Sequence, residues 1–382
     1  MTPIVPKYHL LRFFRDFNEG ITSGIRNITY AMPSQLIKTS LLAYSYKNGD
    51  DLVDYVRQNG GDAHIMTDLK QIGFLSWQKF LDKFFSDNHF DILHCHIDGW
   101  QSGVVAYYAR KHGVKLCAIH AHRSVEEDSQ CSRIKQFINR YSSIHCFDLH
   151  FACNKVATSC VYGEKSLKDV YYLRNGLDIS KYTYTLNNSQ IESYNELFGI
   201  KKGQIVIGHI GRFSPIKNHK FLLQLASSML SKQISFKMLF IGDGNDIDLV
   251  KNQVLELGLS DNVEFLGYRQ DIINLLKYMD VLLLPSFAEA LSNVSIEVQA
   301  AGTPAILSDT IKTDCDLGLN TVQFKPLVAD VWEEAILSVI NKKESSVNEI
   351  KSHFIESGFD SGSIAKYYFS ILDEAITKKK NV

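Results

Sequence analysis

The stretch VLLLPSFAEALSNVSIEVQAAGTPAILSD, residues 281–309, contains a strand, a loop, a helix and a second strand in close succession. Its first and last apolar runs are short and bounded by turn residues, which predicts two buried strands. Between them, Ser292 is a typical N-cap residue, and Gly302 and Pro304 are stop signals for a short helix. Parallel strands need crossover helices of this kind, so the stretch indicates one unit of a parallel α/β sheet.

The same alternation of short apolar runs and amphipathic segments continues along all 382 residues. The first half contains the strand-like runs YHLLRFF, KTSLLAYS, FDILHCHI, KLCAIHAH, HCFDLHFACN and DVYYLRNG, and the second half contains IVIGHIGR, FKMLFIGDG, VEFLGY, VLLLPS and TPAILSD. We therefore predict an α/β protein with two doubly wound, Rossmann-like domains that face each other across a cleft. The predicted segments are an N-terminal domain at 1–182, a linker at 183–203, a C-terminal domain at 204–362, and a final helix at 363–382 that packs back on the N-terminal domain.

Composition narrows the class of protein. Hydrophobic residues make up 45% and charged residues 22% of the chain, which is typical of a soluble globular protein. The chain contains no apolar run of about 18 residues, and basic residues interrupt its N-terminus, so we expect neither a spanning helix nor a signal peptide. The seven cysteines are odd in number and form no CxxC pair, which favours a reducing compartment. We expect a cytoplasmic protein without a nucleic-acid partner, and a slightly basic first half is compatible with peripheral contact at the inner membrane face.

The helix that follows Ser292 predicts an anion site. Its first amides, those of Asn293, Val294 and Ser295, have no partner within the helix and point toward the end of the preceding strand. Glu297 lies one turn further on, where its carboxylate can accept hydrogen bonds from vicinal hydroxyls such as those of a ribose. Glu289, on the loop before the helix, approaches from the other side. The alternative, that both acids are ordinary surface residues, stays open.

Cations for such an anion come from the segment GRFSPIKNH. Gly211 lets a ligand approach the backbone, and Arg212 and Lys217 together can neutralise a diphosphate. A surface salt bridge for the arginine and a solvated lysine are the alternatives. The GDG at 242–244 follows the second strand of its domain and is interpreted as a turn. No GxGxxG follows the first strand of either half, which argues against a nicotinamide dehydrogenase.

Histidines end two successive strands of the first half, in HCH at His94 and His96 and in HAH at His120 and His122. A metal site would need further ligands from other segments, since alternate residues of one strand share a face. A structural role and a place in an acceptor cleft are the two other interpretations. The pairs DID and DCD lie in helical or loop segments and are interpreted as coincidence.

Four segments carry a resemblance to a known family: GRFSPIKNH, FIGDGND…LGLSDNVEFLGYRQDI, MDVLLLPSFAEALSNVSIEVQAAGTPAILSD and FACNKVATSCVYGEK…RNGLDISKY. They resemble the retaining glycosyltransferases of family 4, which have the GT-B fold, and in particular the branch of bacterial exopolysaccharide and capsule synthesis. The similarity runs over about residues 8–330. The E-x7-E signature from Glu289 to Glu297 is its most specific part.

The resemblance implies a hexosyltransferase that moves a sugar, with retention, from a nucleotide-sugar to a glycan or lipid-linked glycan acceptor. The pathway would be synthesis of capsule, exopolysaccharide or O-antigen. It favours UDP over GDP and implies that no metal is needed. Arg212 and Lys217 would hold the diphosphate, Glu297 the ribose and Glu289 the transferred sugar. The remaining implied positions are the donor pocket at Gly20, Gly211, Leu291, Ser292, Asn293 and Val294, the base site at Tyr268 and Arg269, the sugar contact at His122, and the acceptor side at His96, Asp98 and His120.

Two positions depart from the family pattern. Ala290 stands where the family has glycine after the first glutamate, and Glu19 precedes Gly20 where the family has two glycines. A carboxylate near a diphosphate would repel it unless it were turned away. A sugar-nucleotide epimerase and a non-catalytic sugar-nucleotide-binding partner on the same fold are therefore the alternatives.

Overall fold

The computed structural model describes residues 6–16, 20–46, 50–122, 132–163, 169–289, 292–340 and 346–380. The chain divides into two compact units, one formed by Met1–Leu177 with Gly358–Val382 and the other by Asp178–Ser357. Each unit is a parallel sheet with helices packed against it, so the predicted class of two Rossmann-like α/β domains is confirmed.

The first unit contains a seven-stranded sheet whose neighbouring strands are all parallel. Its strands are β1 Tyr8–Asp16, β2 Ile37–Ser45, β3 Ala63–Ile65, β4 Ile92–Cys95, β5 Leu116–Ala121, β6 Leu149–Ala152 and β7 Tyr171–Tyr172. Their order is β3-β2-β1-β4-β5-β6-β7, so the winding reverses between β1 and β4. Loops that leave the carboxyl ends of these two strands diverge, and ligands bind at such points in open α/β sheets.

The second unit contains a six-stranded parallel sheet. Its strands are β8 Ile205–Ile210, β9 Phe236–Ile241, β10 Val263–Gly267, β11 Val281–Leu284, β12 Ala305–Ser308 and β13 Val322–Lys325. The order β10-β9-β8-β11-β12-β13 places the reversal between β8 and β11. The loops that carry the predicted anion site and the predicted cations are therefore the two loops at this reversal.

Helices connect the strands of both units. Those before residue 178 are α1 Gly20–Ala31, α2 Asp51–Gln58, α3 Leu69–Ile72, α4 Phe74–Asp87, α5 Trp100–Lys111, α6 Arg133–His145 and α7 Lys155–Tyr162. Those after it are α8 Asn188–Phe198, α9 His219–Ser231, α10 Ile247–Glu256, α11 Ile272–Tyr278, α12 Asn293–Ala301, α13 Ala329–Val339, α14 Val347–Glu356 and α15 Ser361–Lys380. Within the part of the chain that the structure describes, no helix is both long and apolar enough to cross a bilayer.

The C-terminal helix α15 belongs to the core of the first unit. Ile364, Tyr368 and Leu372 are buried in one cluster with Leu10 of β1 and Ile28 of α1. Burying these side chains removes apolar surface from water at about 25 cal/mol per Å2, which is what holds a segment so distant in sequence on this sheet. The helix thus covers the face of the sheet on which α1 also lies.

Residues 183–203, predicted to be a linker, lie inside the second unit, where most of them form α8. Asn187 and Gln190 cap the start of this helix reciprocally, and Gly199, with φ of 63°, ends it. The division between the units falls at residues 177/178 and 357/358. The polar composition of this segment reflects a solvent-exposed helix, since eight of the eleven residues of α8 are exposed.

Strands β3 and β13 have no counterpart among the predicted strands. Both lie at the edge of a sheet, and no residue of either is fully buried. An edge strand with half-exposed faces needs no apolar run, so a search for such runs overlooks it.

Candidate active site

Helix α12 begins and ends where the sequence predicts. The Oγ of Ser292 accepts a hydrogen bond from the amide of Ser295 at 3.4 Å, and Gly302, with φ of 77°, ends the helix. The N-cap and the stop signal are therefore confirmed. The prediction that the Ser295 amide is available to an anion is wrong, because the cap residue occupies it with both its hydroxyl and its carbonyl oxygen.

Among the described residues, three hydrogen bonds join the two loops at the reversal of the second sheet. The amide of Phe287 donates to the carbonyl of Ile216 at 2.9 Å, and Asn218 Nδ2 donates to the carbonyl of Pro285 at 3.2 Å. Lys217 Nζ then donates to Glu289 Oε1 at 2.5 Å, and both side chains are mostly buried. The structure thus brings together the residue predicted to bind the diphosphate and the residue predicted to bind the sugar, which are 72 positions apart in the sequence.

Glycines let this pair of loops pack closely. A Cβ on Gly211 would lie 3.4 Å from Lys217 Cδ and 3.3 Å from His209 Nε2, so the lysine stem passes over this residue. A Cβ on Gly242 would lie 2.1 Å from the carbonyl oxygen of Gly211, and its φ of 134° also favours glycine. The GDG segment is therefore a strand-end turn that supports the Gly211 loop from below.

Arg212 is exposed at the mouth of a shallow pocket. Ser214, Asp243 and Asp246 also line that pocket. Arg212 and the two aspartates line the same pocket, so this side of the loop carries both positive and negative charges. Lys217, on the other side of the loop, points toward Glu289.

Glu297 is half-buried on α12, on the same helix face as Asn293. Burial raises the pKa of its carboxyl group from 4.5 to about 7, because the charged form loses hydration. Tyr182 lies close enough for the carboxylate to raise the pKa of the phenol, although burial is the larger cause. No described residue neutralises Glu297 through an ion pair. Hydroxyl groups of a ligand would stabilise its charged form.

The predicted base site combines an exposed ring with a fixed guanidinium. Tyr268 is 83% exposed. Arg269 donates from Nε and Nη2 to the two oxygens of Asp271 at 2.8 and 2.7 Å, and the hydroxyl of Tyr194 donates to the same carboxylate at 2.8 Å. Of the other donor-pocket positions, Val294 is half-buried, and Leu291 and Ala290 lie outside the described residues.

In the first unit, a polar layer crosses three adjacent strands. We use the name histidine layer for Arg12 on β1, His94 and His96 at the end of β4, and His120 and His122 at the end of β5. Arg12 pairs in register with His94, so the layer follows directly after the apolar residues that α15 covers. The layer surrounds a small cavity that Ile28 of α1 and Tyr368 of α15 also line.

The histidine layer is connected by hydrogen bonds and ring stacking. The ring of His94 bonds through Nδ1 to the hydroxyl of Tyr368 at 2.5 Å. Arg12 Nη1 lies 3.2 Å from His96 Nε2, and His96 Nδ1 lies 3.2 Å from His122 Nε2. The ring of His122 stacks on that of His120 at 4.0 Å. Burial lowers the pKa of His122 to about 3 and holds the pKa of His96 well below its usual range, so both are neutral.

These contacts place the acceptor-side candidates at different depths. His96 and His120 are buried, and both ring nitrogens of His96 contact protein groups, whereas His122 and Asp98 are half-buried. Gly20 begins α1, and Glu19 lies outside the described residues.

A metal would find little support in the histidine layer. The ligand atoms of His94, His96 and His120 lie within 4.8 Å of one another. However, the guanidinium of Arg12 occupies one nitrogen of His96 and adds a positive charge beside the other rings. A cation at this position would be repelled by that charge.

Sequence reasoning missed Arg12 and Tyr368. A charged residue inside the apolar run YHLLRFF was the available signal for the arginine, since arginine is rarely fully buried without a partner. Nothing in the local sequence links Tyr368 to a histidine 274 positions earlier.

The known proteins that this chain resembles in sequence are glycosyltransferases. Residues 190–353 match the family model of glycosyl transferases group 1. The chain is 27% identical to a putative glycosyltransferase, EpsF, of Bacillus subtilis, over 89% of this chain and 90% of that protein. It is 23% identical to the UDP-Gal:alpha-D-GlcNAc-diphosphoundecaprenol alpha-1,3-galactosyltransferase of Escherichia coli, over 84% of this chain and 88% of that protein.

The fold is also found in solved structures. HepE of Anabaena in complex with UDP-glucose superposes with a TM-score of 0.75 at 17% identity, covering 96% of this chain and all of that one. Sucrose-phosphate synthase of Thermosynechococcus elongatus superposes with a TM-score of 0.74 at 14% identity, covering 97% of this chain and 100% of that one. The fold is that of the GT-B glycosyltransferases. The family match and the relatives at 27% and 23% identity support a glycosyltransferase that acts on a sugar-nucleotide donor.

Proposed function

We propose that the protein is a retaining glycosyltransferase of family 4 that moves a sugar from a UDP-sugar to a glycan or lipid-linked glycan of a bacterial surface polysaccharide. The contact between Lys217 and Glu289 carries the proposal, because it places a cation and a carboxylate side by side at the reversal of the donor-domain sheet. The UDP donor is favoured because HepE was solved with UDP-glucose and the E. coli relative is named for UDP-Gal.

Lys217 and Arg212 are proposed to hold the diphosphate. Departure of the diphosphate develops negative charge, which the ammonium of Lys217 and the amide end of α12 stabilise without reorganising. Glu289, oriented by Lys217, is proposed to accept hydrogen bonds from the transferred sugar. Attack from the face that the diphosphate leaves, with a phosphate oxygen taking the proton of the acceptor hydroxyl, retains the configuration and needs no protein nucleophile.

The nucleoside is proposed to extend from Glu297 toward Tyr268. The half-buried carboxylate of Glu297 would accept hydrogen bonds from the two ribose hydroxyls, which is the interaction that its environment lacks. The exposed ring of Tyr268 offers a surface on which a base stacks, and Arg269, held flat by Asp271, borders it.

Metal independence is part of the proposal, since lysine, arginine and a helix N-terminus supply the positive charge at the diphosphate. Activity measured with a metal-free UDP-sugar should survive addition of EDTA. Loss of activity with EDTA and its recovery with Mg2+ or Mn2+ would contradict this part.

The donor assignment is tested by replacing Lys217 with alanine and measuring transfer from a labelled UDP-sugar. Removal of a charge that acts on the leaving group should lower kcat by about 100-fold. Lys220 of α9 is exposed and is the matched control, since K220A removes the same charge three positions away. Near wild-type transfer by K217A at saturating donor would remove the diphosphate assignment.

Conversion of the donor without any acceptor would indicate an epimerase, and donor binding without turnover on an acceptor panel would indicate a non-catalytic partner.

Peripheral contact with an anionic membrane face is also proposed, on helix α6. Its Ile134, Phe137, Ile138 and Tyr141 follow the spacing of one helix face, and they are 75%, 70%, 48% and 59% exposed. The helix Arg133–His145 carries three arginine or lysine residues, one histidine and no acid. A helix with exposed apolar side chains among basic ones lies in the interface of an anionic bilayer.

Vesicle flotation tests this contact. The protein should float with vesicles that contain phosphatidylglycerol and should float less with pure phosphatidylcholine. F137S should reduce the floated fraction severalfold, because a large exposed ring is lost from the contact face. Leu255, 67% exposed on α10, provides the control L255S, which should float like the wild type. Equal flotation of both variants would contradict a role for α6.

A further inference from the structure

We infer that Arg12 and His96 fix the tautomer of His122, so that His122 offers its Nδ1 hydrogen as a donor and takes no proton in the reaction. The tautomer itself follows from the geometry of the first unit. Its consequence for catalysis rests on the proposed function and on the contact with the transferred sugar that the family resemblance implies for His122.

The direction of each hydrogen bond follows from the first donor. A guanidinium only donates, so at 3.2 Å the Nε2 of His96 must accept from Arg12 Nη1. A neutral imidazole has one donor and one acceptor nitrogen, so His96 Nδ1 carries the hydrogen. That hydrogen is donated to His122 Nε2, 3.2 Å away. His122 therefore accepts at Nε2 and carries its own hydrogen on Nδ1.

The surroundings hold the first donor in place. Arg12 is 2% exposed, its backbone pairs with strands on both sides, and its guanidinium lies 5.2 Å over the ring of Tyr368. The other ionisable groups of the layer are His94 on β4 and His120 on β5, while the described residues of α1 that line the cavity are Gly24, Ile25 and Ile28, which carry no charge. No carboxylate among the described residues pairs with Arg12, so its charge opposes protonation of His94, His96 and His120.

This polarity limits what His122 can do. With Nε2 engaged and Nδ1 protonated, the neutral ring has no lone pair left with which to abstract a proton from an acceptor hydroxyl. It can donate a hydrogen bond to a sugar oxygen. Arg12 and His96 are then positioning residues, which act on the substrate through His122 alone.

The tautomer is measured by long-range 1H–15N correlation on the full-length protein labelled with 15N-histidine. The His122 signals are assigned by their loss in H122Q. We expect Nδ1 of His122 to be protonated, Nε2 to be unprotonated, and neither to titrate between pH 5 and 9. An Nε2-protonated His122, or one that titrates in this range, would overturn the inference whatever the activity.

Variants test each step of the relay, by which we mean the hydrogen bond from Arg12 to His96 and the one from His96 to His122. R12M removes the obligate donor and should let His122 populate both tautomers. The glutamine of H96Q can accept from Arg12 and donate to His122, so H96Q should keep the wild-type tautomer of His122. H96L can do neither and should lose it. This pair of variants tests the relay even if R12M does not fold. Y368F is the control, because it removes the hydroxyl from His94 and leaves Arg12, His96 and His122 intact. An unchanged His122 tautomer in H96L would overturn the relay.

Kinetics separate the relay from the proposed function. Loss of a hydrogen bond made in the transition state should lower kcat about tenfold in R12M and H96L with little change in the donor KM, and H96Q should recover part of that loss. If the wild type has the predicted tautomer and H96L loses it without a change in kcat, the relay is supported and His122 has no role in the reaction. Binding of Zn2+ by the wild-type protein, with loss of the His96 hydrogen signal, would overturn the relay in favour of a metal site.

Discussion

Glu297 should make the protein less stable at alkaline pH, and replacing it with glutamine should remove this effect. The carboxyl group is half-buried on α12 and burial raises its pKa to about 7, whereas the unfolded chain has the usual value of 4.5. The native state therefore holds a proton that the unfolded state has lost between these two pH values. Stability from this group is fully present below pH 4.5 and is lost as the pH rises through about 7.

The difference between the two pKa values corresponds to about 3 kcal/mol of unfolding free energy. Because Glu297 keeps some contact with solvent, we expect about 2 kcal/mol. E297Q keeps the shape and cannot ionise, so it should gain this amount over the wild type at pH 8.5 and almost nothing at pH 4.5. For a unit the size of Asp178–Ser357, the gain corresponds to roughly 4–8 °C in Tm.

The assay is calorimetric unfolding of wild type and E297Q across pH 4.5–8.5, without donor. Glu192, an exposed acid on α8, provides the control E192Q, which should show no such dependence on pH. At pH 8.5, adding UDP should raise the Tm of the wild type more than that of E297Q, because in E297Q the ribose hydroxyls have lost their charged acceptor. A Tm difference between E297Q and wild type that is the same at pH 4.5 and 8.5 would refute the argument.

Three further predictions concern the loops of the second unit. G242A should lower the free energy of urea unfolding by about 3 kcal/mol, since Gly242 has a φ of 134° and its Cβ would overlap the carbonyl of Gly211. G258A, at a φ of 67° and in open space, should lose only about 1 kcal/mol. E289Q should lower kcat/KM for the donor about 100-fold and should also lower the unfolding free energy by up to about 3 kcal/mol, because it removes one charge of a mostly buried ion pair; a loss of stability without loss of transfer would show that the Lys217 pair is only structural. G211A should raise the donor KM by displacing the lysine stem, and an unchanged KM would show that this stem is not held by the loop.

Some of the site is local enough to be predicted from the chain alone. The caps of α12 depend on Ser292, Ser295 and Gly302, which are neighbours along the chain. The apolar runs of β8 and β11 are central strands buried on both faces, so each reads as a continuous hydrophobic segment with its loop at the end. These features place one acid and two cations on the loops of one sheet, and a helix N-terminus and the second acid on α12 beside them.

The partners of those residues depend on contacts between distant segments. Lys217 meets Glu289 because β8 and β11 are adjacent, and Arg12 meets His96 because β1 pairs with β4. Strand order and register decide such pairs, and they follow from packing of whole sheets against their helices, including α15. Local sequence specifies the central strands, the caps of α12 and the chemical groups at their ends. Which of these groups meet depends on the packing of the whole unit, because a hydrogen bond joins two atoms that the chain brings together from far apart.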